Sequence, residues 1–162
     1  MTISGRGTYA LQMHLAAAQA VRIGALGTVV FPAGYYLYVG SALGPGGLAA
    51  RLARHWQTAK KPHWHIDYLR EVCLLVCAWA RVGQTPRECD WALAVADMSG
   101  ATIPAQRFGA SDCSCQSHLF RLPRRADAVD LAAAVGCRPD LLVELDGALP
   151  WGRVFQGGPS ET

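Results

Sequence analysis

The stretch that decides the fold is Tyr35-Tyr-Leu-Tyr-Val-Gly-Ser-Ala-Leu-Gly-Pro-Gly-Gly-Leu-Ala-Ala-Arg-Leu-Ala-Arg-His55. Its first part, Tyr35 to Val39, is aromatic and aliphatic, which is typical of a half-buried β-strand. Glycine and proline at 44–47 can continue neither a strand nor a helix, and Leu48 and Leu52 then recur at one helical interval. The stretch therefore predicts a strand that leads through a glycine-rich turn into a helix.

The predicted helix carries basic side chains beside its leucines. Arg51 and His55 are four residues apart, so they share one face of the helix. We expect this face to point outward while the leucines pack inward. Tyr38, near the end of the preceding strand, would then lie close to a guanidinium and an imidazole.

Length and composition predict one domain, at residues 1–146, followed by a partly disordered glycine- and proline-rich tail at 147–162. The chain has 162 residues, 51% of them hydrophobic, yet no apolar run approaches the ~20 residues of a membrane span. The first residues lack the apolar core of a signal peptide, so we expect a soluble, cytoplasmic protein. Six cysteines are too few for a disulfide scaffold at this length, and we interpret most of them as reduced thiols.

Positive charge is concentrated between Arg51 and His65, a stretch that contains no acidic residue. Such a patch suits a nucleic-acid backbone, although a solvated helix face and loop would have the same composition. Charge alone does not separate DNA from RNA, and the oligomeric state stays open. The candidate nucleic-acid contacts are Arg54, Lys60, Lys61, His63 and His65.

Two further strands complete the predicted central sheet. Gly7 to Leu15 alternates in polarity and would pair antiparallel with Tyr35 to Ser41, while Leu74 to Arg81 has the composition of a buried strand. Between the first two strands, Ala16 to Ala20 is a helix-prone run, and Val21 to Phe31 predicts two short strands. The fold class is therefore α/β, with a small, mainly antiparallel, three-stranded central sheet flanked by helices and extra short strands.

Helices and a short strand are also predicted downstream. Thr85 is a candidate N-cap, with Pro86 at the first helical position and Glu88 three residues after the cap, as in a capping box. Glu88 could thus be a capping carboxylate without chemistry. The other predicted elements are a helix at 66–72, a strand at 118–122, a helix at 127–135 and an apolar segment at 141–145.

Several sequence blocks resemble the GIY-YIG endonuclease superfamily, and most closely its small stand-alone Uri-type branch. Gly7-Thr-Tyr9 and Tyr38-Val-Gly40 correspond to the two tripeptides, with Thr8 and Val39 in place of isoleucine. The resemblance extends from Gly7 to about Leu122. Its longer blocks are Gly34-Tyr-Tyr-Leu-Tyr-Val-Gly-Ser-Ala-Leu-Gly44, Gly46-Gly-Leu-Ala-Ala-Arg-Leu-Ala-Arg-His55, His63-Trp-His-Ile-Asp-Tyr-Leu69 and Phe108-Gly-Ala-Ser-Asp-Cys-Ser-Cys-Gln-Ser-His-Leu-Phe120.

The resemblance implies a divalent-metal-dependent endonuclease that cuts DNA in a structure-selective or nonspecific way. It implies that Tyr9 is the base or positions the nucleophile, that Tyr38 orients water or phosphate, and that Arg51 stabilises transition-state charge. His55 would relay a proton, and Glu88 would hold one Mg²⁺ or Mn²⁺. A tyrosine can act as a base only if positive charge lowers its pKa from about 10 or its proton can pass onward.

A second group of candidate metal ligands is Cys113-Xaa-Cys115-Xaa-Xaa-His118. We expect this block to be a tight loop near the active face, and treat a structural Zn²⁺ as the less favoured alternative. A zinc ion would need a fourth ligand, from Cys73, Cys77, His63 or His65. The same two histidines could bind a metal ion themselves, although phosphate contact is the simpler role.

Two other functions remain open on the sequence. The chain could be a catalytically silent nucleic-acid-binding module that uses the basic stretch from Arg51 to His65. It could also be a zinc-stabilised accessory protein in RNA or DNA processing.

Overall fold

The computed structural model describes residues 3–57, 59–146 and 154–156, and its main feature is an antiparallel sheet. Its strands are β1 (Gly7–Leu15), β2 (Gln19–Arg22), β3 (Thr28–Phe31), β4 (Gly34–Ala42), β5 (Leu74–Val82), β6 (Leu119–Leu122), β7 (Val143–Asp146) and β8 (Val154–Gln156). Its α-helices are α1 (Gly47–Trp56), α2 (His65–Arg70), α3 (Glu88–Ala96) and α4 (Ala128–Val135). Short 3₁₀ turns lie at Gly24–Leu26 and Pro139–Leu141.

Strand β1 pairs antiparallel with β4, as the sequence predicted, and also pairs antiparallel with β5 on its other side. In this register Tyr9 lies opposite Gly40 of β4 and Ala80 of β5. Tyr38 lies opposite Leu11, two residues along β1 from Tyr9, so both tyrosines lie on the same face of the sheet. The two phenol rings therefore share one side of the molecule.

The predicted three-stranded sheet is wrong in its extent, because β6 and β7 flank the three central strands. The order is β6-β4-β1-β5-β7-β8, with every pairing antiparallel. The strand predicted at 118–122 is β6, and the apolar segment predicted at 141–145 overlaps β7, but strands of three or four residues carry no local signal that they join the central sheet. The α/β class with a mainly antiparallel sheet flanked by helices is confirmed.

Both faces of the sheet are covered, which explains the nearly continuous burial of β1. Tyr9, Leu11, Met13 and Leu15 pack on one face with the leucines of α1 and α2. The opposite face packs against α3 and α4. There the buried Gln12 side chain exchanges two hydrogen bonds with the backbone of Ala126, at 2.7 and 2.9 Å.

The Ala16–Ala20 run is helix-prone in composition but too short to form a helix alone; it is not helical, and its end joins the β2–β3 hairpin. The predicted helix cap before α3 is wrong. Helix α3 begins at Glu88, with Arg87 at the N-cap and no side-chain cap, so Thr85 and Glu88 do not form a capping box. The Glu88 carboxylate is therefore not used as a helix cap.

No α-helix among the described residues is long and apolar enough to cross a membrane. The predicted tail at 147–162 lies outside the described residues, except for the three residues of β8.

Candidate functional site

The first pair of candidate residues, Tyr9 and His55, is in direct contact beneath α1. The Tyr9 hydroxyl lies 2.6 Å from His55 Nε2, and both side chains are buried. The prediction that His55 points outward is wrong, because Leu48, Leu52 and His55 form the buried stripe of α1 at i, i+4 and i+7. The imidazole therefore lies against the core.

Burial determines the protonation of this pair. Burial, together with the charge of Lys60, lowers the pKa of His55 from 6.5 to about 3, so the imidazole is neutral at pH 7. Burial also raises the pKa of Tyr9 and outweighs Arg51 beside its hydroxyl, which acts in the opposite direction. Of the two routes by which a tyrosine can act as a base, the one left is transfer of the Tyr9 proton to a neutral His55.

Tyr38 lies against the same imidazole. Its ring centroid is 6.3 Å from that of His55 and 6.1 Å from that of Phe108, both in edge-on arrangements. Burial raises its pKa well above 10, and the nearby Tyr9 and Glu88 act in the same direction. Tyr38 is thus a protonated phenol that faces the same group of side chains.

Arg51 and Glu88 are joined through Ser41 at the end of β4. The Arg51 guanidinium donates to the Ser41 carbonyl at 3.1 Å, and the Ser41 hydroxyl donates to Glu88 Oε2 at 2.8 Å. The guanidinium is also stacked on the Trp64 ring, 4.3 Å from its centroid. Arg51 is half-buried and 28% of the Glu88 side chain is exposed, so both can meet a ligand from solution.

The second Glu88 oxygen contacts a histidine. Glu88 Oε1 lies 2.9 Å from His118 Nδ1. Burial lowers the pKa of His118, but the hydrogen bond and the charge of Glu88 outweigh it and hold this pKa above its ordinary value. Glu88 is therefore held between Ser41 on one side and His118 on the other.

The basic stretch from Arg51 to His65 is neutralised in part by Asp67, which lies just beyond it. Asp67 is buried, and its Oδ2 accepts from Arg54 Nη2 at 2.8 Å while Lys60 Nζ lies 3.4 Å from Oδ1. Burial raises the pKa of Asp67, but hydrogen bonds from the His63 and Trp64 amides and from Arg54 reverse this and lower it to about 2. Arg54 and Lys60 thus have a carboxylate partner, whereas Lys61 is exposed.

The two histidines of this stretch do not share an environment. His63 is exposed, and its ring packs edge-on against Trp64. His65 is the first residue of α2, and its Nδ1 accepts a hydrogen bond from the Gly109 amide at 2.9 Å. His65 therefore joins α2 to the loop that follows Phe108, and neither histidine belongs to the thiol-containing group described next.

Three cysteines and a histidine meet beside Glu88, and we call Cys89, Cys113, Cys115 and His118 the Cys₃His cluster. Their potential ligand atoms all lie within 4.8 Å of one another, and Cys113 Sγ is 3.4 Å from His118 Nε2. None of the four predicted sources of a fourth ligand joins the cluster. Cys89, in the first turn of α3, takes that place.

The loop that carries two of these cysteines is fixed by Arg107. Its guanidinium donates to the Cys113 and Cys115 carbonyls, each at 2.6 Å. Among the described residues, Arg107 is the one non-glycine residue with positive φ, at 64°. A non-glycine residue is strained in this backbone conformation and persists only where surrounding contacts hold it. The two carbonyl contacts of the Arg107 guanidinium do so here.

A family model described as "Domain of unknown function DUF123" matches residues 8–138. The chain belongs to the DUF123 family. No curated protein and no solved structure gave a significant match. The matched region of this DUF123 protein contains the Tyr9–His55 pair, the Arg51–Ser41–Glu88 contacts and the complete Cys₃His cluster.

The structure thus brings together Tyr9, Tyr38, Arg51, His55 and Glu88, whereas Arg54, Lys60 and His65 are held by internal contacts. Sequence reasoning missed the contributions of Asp67, Trp64, Arg107 and Cys89. The position of His55 could have been found, because it falls at i+7 from Leu48, on the same helical stripe as Leu48 and Leu52. The sequence offered no comparable signal for Cys89, which looks like an ordinary exposed residue of an N-terminal helical turn.

Proposed function

We propose that this DUF123 protein is a divalent-metal-dependent endonuclease that hydrolyses phosphodiester bonds in DNA. The observation that supports it best is that Ser41 contacts both Arg51, through its carbonyl, and Glu88, through its hydroxyl, with the Tyr9–His55 pair beside Arg51. The resemblance to GIY-YIG endonucleases of the Uri type assigns Arg51, Glu88, Tyr9 and His55 to catalysis. Cleavage would be structure-selective or nonspecific.

Different side chains of the site would bind the phosphate, orient the water and transfer protons during hydrolysis. Arg51, held over Trp64 and against Ser41, binds a phosphate oxygen and offsets charge that develops on it. Tyr9 orients the attacking water, and as the water oxygen adds to phosphorus its proton would move to the Tyr9 oxygen while the Tyr9 proton moves to His55 Nε2 across the 2.6 Å contact. Tyr38 would donate a hydrogen bond to the phosphate from the same face. The bond to the leaving alkoxide breaks, that oxygen takes a proton from solvent, and His55 returns its proton to solvent.

Glu88 would hold a single Mg²⁺ or Mn²⁺. Its carboxylate is partly exposed and has the Ser41 hydroxyl next to it, an all-oxygen set that suits a hard ion retaining most of its water. When bound, such an ion polarises the phosphate and stabilises the leaving oxygen. A single carboxylate would hold one ion rather than two.

The experiment compares cleavage of duplex, nicked, branched and single-stranded DNA, with and without Mn²⁺, for the wild type and for Glu88→Gln, Arg51→Ala and Tyr9→Phe. We expect metal-dependent cleavage that Glu88→Gln abolishes and that Arg51→Ala slows by about 10²- to 10³-fold. The matched control is Asp90→Asn, which removes an exposed acid from the same helical turn. Equal rates for Glu88→Gln and Asp90→Asn would contradict the proposal.

A second candidate function is a catalytically silent nucleic-acid-binding module. The observation in its favour is the burial of Tyr9, which is 1% exposed, and of its partner His55. Under this alternative, the wild type binds DNA but does not cleave it with any metal ion tested. Tyr9→Phe then changes the stability of the protein without changing its affinity for DNA. The same set of DNA substrates therefore separates the two functions.

A further inference from the structure

We propose that the Cys₃His cluster of Cys89, Cys113, Cys115 and His118 is a structural Zn²⁺ site that also orients Glu88. Three thiolates and one imidazole are a donor set typical of closed zinc sites. Soft sulfur ligands disfavour Mg²⁺ and Ca²⁺, and the usual iron–sulfur cluster requires four cysteines. This zinc position is separate from the Mg²⁺ or Mn²⁺ position proposed above at Glu88 and Ser41.

The spacing of the four ligand atoms fits a tetrahedral ion. Zinc–sulfur bonds of about 2.3 Å and zinc–nitrogen bonds of about 2.0 Å place neighbouring S and N ligands about 3.5 Å apart in a tetrahedron. The observed Cys113 Sγ to His118 Nε2 distance is 3.4 Å. No pair in the cluster exceeds 4.8 Å, so ordinary rotamer adjustments can bring the four atoms onto one ion.

Each nitrogen of His118 faces a different partner. Nε2 faces the thiols, while Nδ1 lies 2.9 Å from Glu88 Oε1. In metal sites, the ring nitrogen that does not bind the ion commonly donates to a carboxylate, which fixes the tautomer and the orientation of the ring. Glu88 is therefore the outer-sphere partner of the proposed zinc ion, through Oε1, and its Oε2 stays with Ser41.

The backbone around the cluster is held independently of any ion. Arg107 clamps the Cys113 and Cys115 carbonyls, and the His118 amide and carbonyl bond to Phe108 and to Val39 of β4. Cys89 comes from the start of α3, on the other side of the cluster. One ion would thus tie a helix, a loop and the beginning of β6 together.

The test measures the zinc content of reduced protein, purified without chelator and reconstituted with Zn²⁺. We expect about one ion per chain for the wild type and a large loss for Cys89→Ser and Cys113→Ser. Cys89 is exposed, so its replacement leaves packing unchanged, and circular dichroism checks that the variant is folded. Cys137→Ser is the matched control, because this partly exposed thiol lies outside the cluster and should keep full zinc content.

Cobalt substitution supplies a second measurement. Co²⁺ in the wild-type site should show thiolate charge-transfer absorption and tetrahedral d–d bands, both weakened in Cys89→Ser and unchanged in Cys137→Ser. Glu88→Gln should retain the site but lower zinc affinity about 10- to 100-fold, whereas Asp90→Asn should not. Zinc binding is measured without DNA, so its result is independent of nuclease activity.

Three results would overturn the zinc proposal. The first is zinc content that is equal in the wild type and Cys89→Ser, which places the ion elsewhere. The second is free titration of all six thiols in the presence of Zn²⁺. The third is a disulfide within the cluster in protein prepared under reducing conditions, identified by mass spectrometry.

Discussion

His55 is a buried neutral imidazole, and this has a consequence for stability below neutral pH. Its folded pKa of about 3 lies below the unfolded value of 6.5, so the unfolded chain binds the proton more readily between these values. The contribution of His55 is therefore complete above pH 6.5 and is lost as pH falls. Each pH unit below 6.5 costs up to about 1.4 kcal/mol, or about 2 kcal/mol by pH 5.

His55→Gln should remove this dependence. We expect the stability advantage of the wild type over His55→Gln, measured by urea unfolding, to shrink between pH 7.5 and pH 5. His63→Gln is the control, because His63 is exposed. A constant difference across the pH range would show that His55 is protonated normally in the folded chain.

Gly40 lies directly beneath the Tyr9 ring. A Cβ at this position would stand 2.4 Å from the Tyr9 Cζ and hydroxyl oxygen, a distance that real Cβ atoms do not adopt. Gly40→Ala should therefore displace the ring from His55 and destabilise the fold by about 1–3 kcal/mol.

Gly44→Ala supplies the comparison for Gly40, because a Cβ there meets nothing within 4 Å. We expect it to change the unfolding free energy by less than about 0.5 kcal/mol. Denaturant midpoints of the two variants test the pair. Equal midpoints would mean that the tyrosine can move aside without cost.

At the scale of elements, Asp67 links α2 to the end of α1. It accepts from the His63 and Trp64 amides and from Arg54, and its pKa of about 2 lies below the unfolded value of 3.8. Its contribution is present above pH 3.8 and is lost as pH falls towards 2. The Asp67 side chain is fully buried, and its negative charge is paired with the positive charges of Arg54 and Lys60.

Asp67→Asn should destabilise the protein by about 3 kcal/mol at pH 7, because Lys60 and Arg54 lose their counter-charge. The loss should disappear near pH 2, where the wild-type carboxylate is also protonated. Asp97→Asn, which changes an exposed acid after α3, should be nearly neutral in the same unfolding experiment. A matching loss in both variants would assign the effect to net charge.

Local patterns predicted where many elements lie, but not which elements pair in space. The pattern of β1 and the leucine spacing of α1 gave their positions, although His55 was expected on the outer face of α1 and is buried. A strand was predicted where β6 lies, but the pairing of β6 with β4 and of β7 with β5 depends on neighbouring strands that supply hydrogen-bond partners. Helix α3 begins three residues after the predicted cap at Thr85, so the role of Glu88 could be inferred only from resemblance.

The whole molecule presents a smaller basic surface than its sequence suggests. Arg54 and Lys60 are turned towards Asp67, while Lys61 remains exposed. A cation already paired with a carboxylate displaces few of the counterions condensed on DNA. If the protein binds DNA as proposed, Lys61→Ala should lower DNA affinity and reduce the slope of log K against log salt by about 1.

Lys60→Ala should leave that salt slope unchanged, because its ammonium group is held by Asp67 and the Arg54 carbonyl. Fluorescence anisotropy at several salt concentrations, with Mg²⁺ omitted, measures both variants. If Lys60→Ala reduces the slope and Lys61→Ala does not, DNA approaches from another side of the protein.

The sequence also limits what could be known of the site as a whole. Tyr9, Arg51 and Glu88 could be grouped only through resemblance, since they lie on separate elements. Asp67 lies two residues beyond the acid-free stretch, and its neutralising role depends on the turn between α1 and α2. Long-range contacts such as these depend on the packing of the sheet, which local patterns do not encode.

The order of the sheet has a consequence for synthesis of the chain. Of the described strands of this sheet, β1 comes earliest in the chain and is an inner one, and β4 and β5 are added on its two sides before the outer strands β6 and β7 appear. A nascent chain would thus have an unpaired, largely apolar β1 until β4 leaves the ribosome. Each later strand of the sheet can pair with a strand that has already been synthesised, so the sheet can assemble in the order in which the chain is translated.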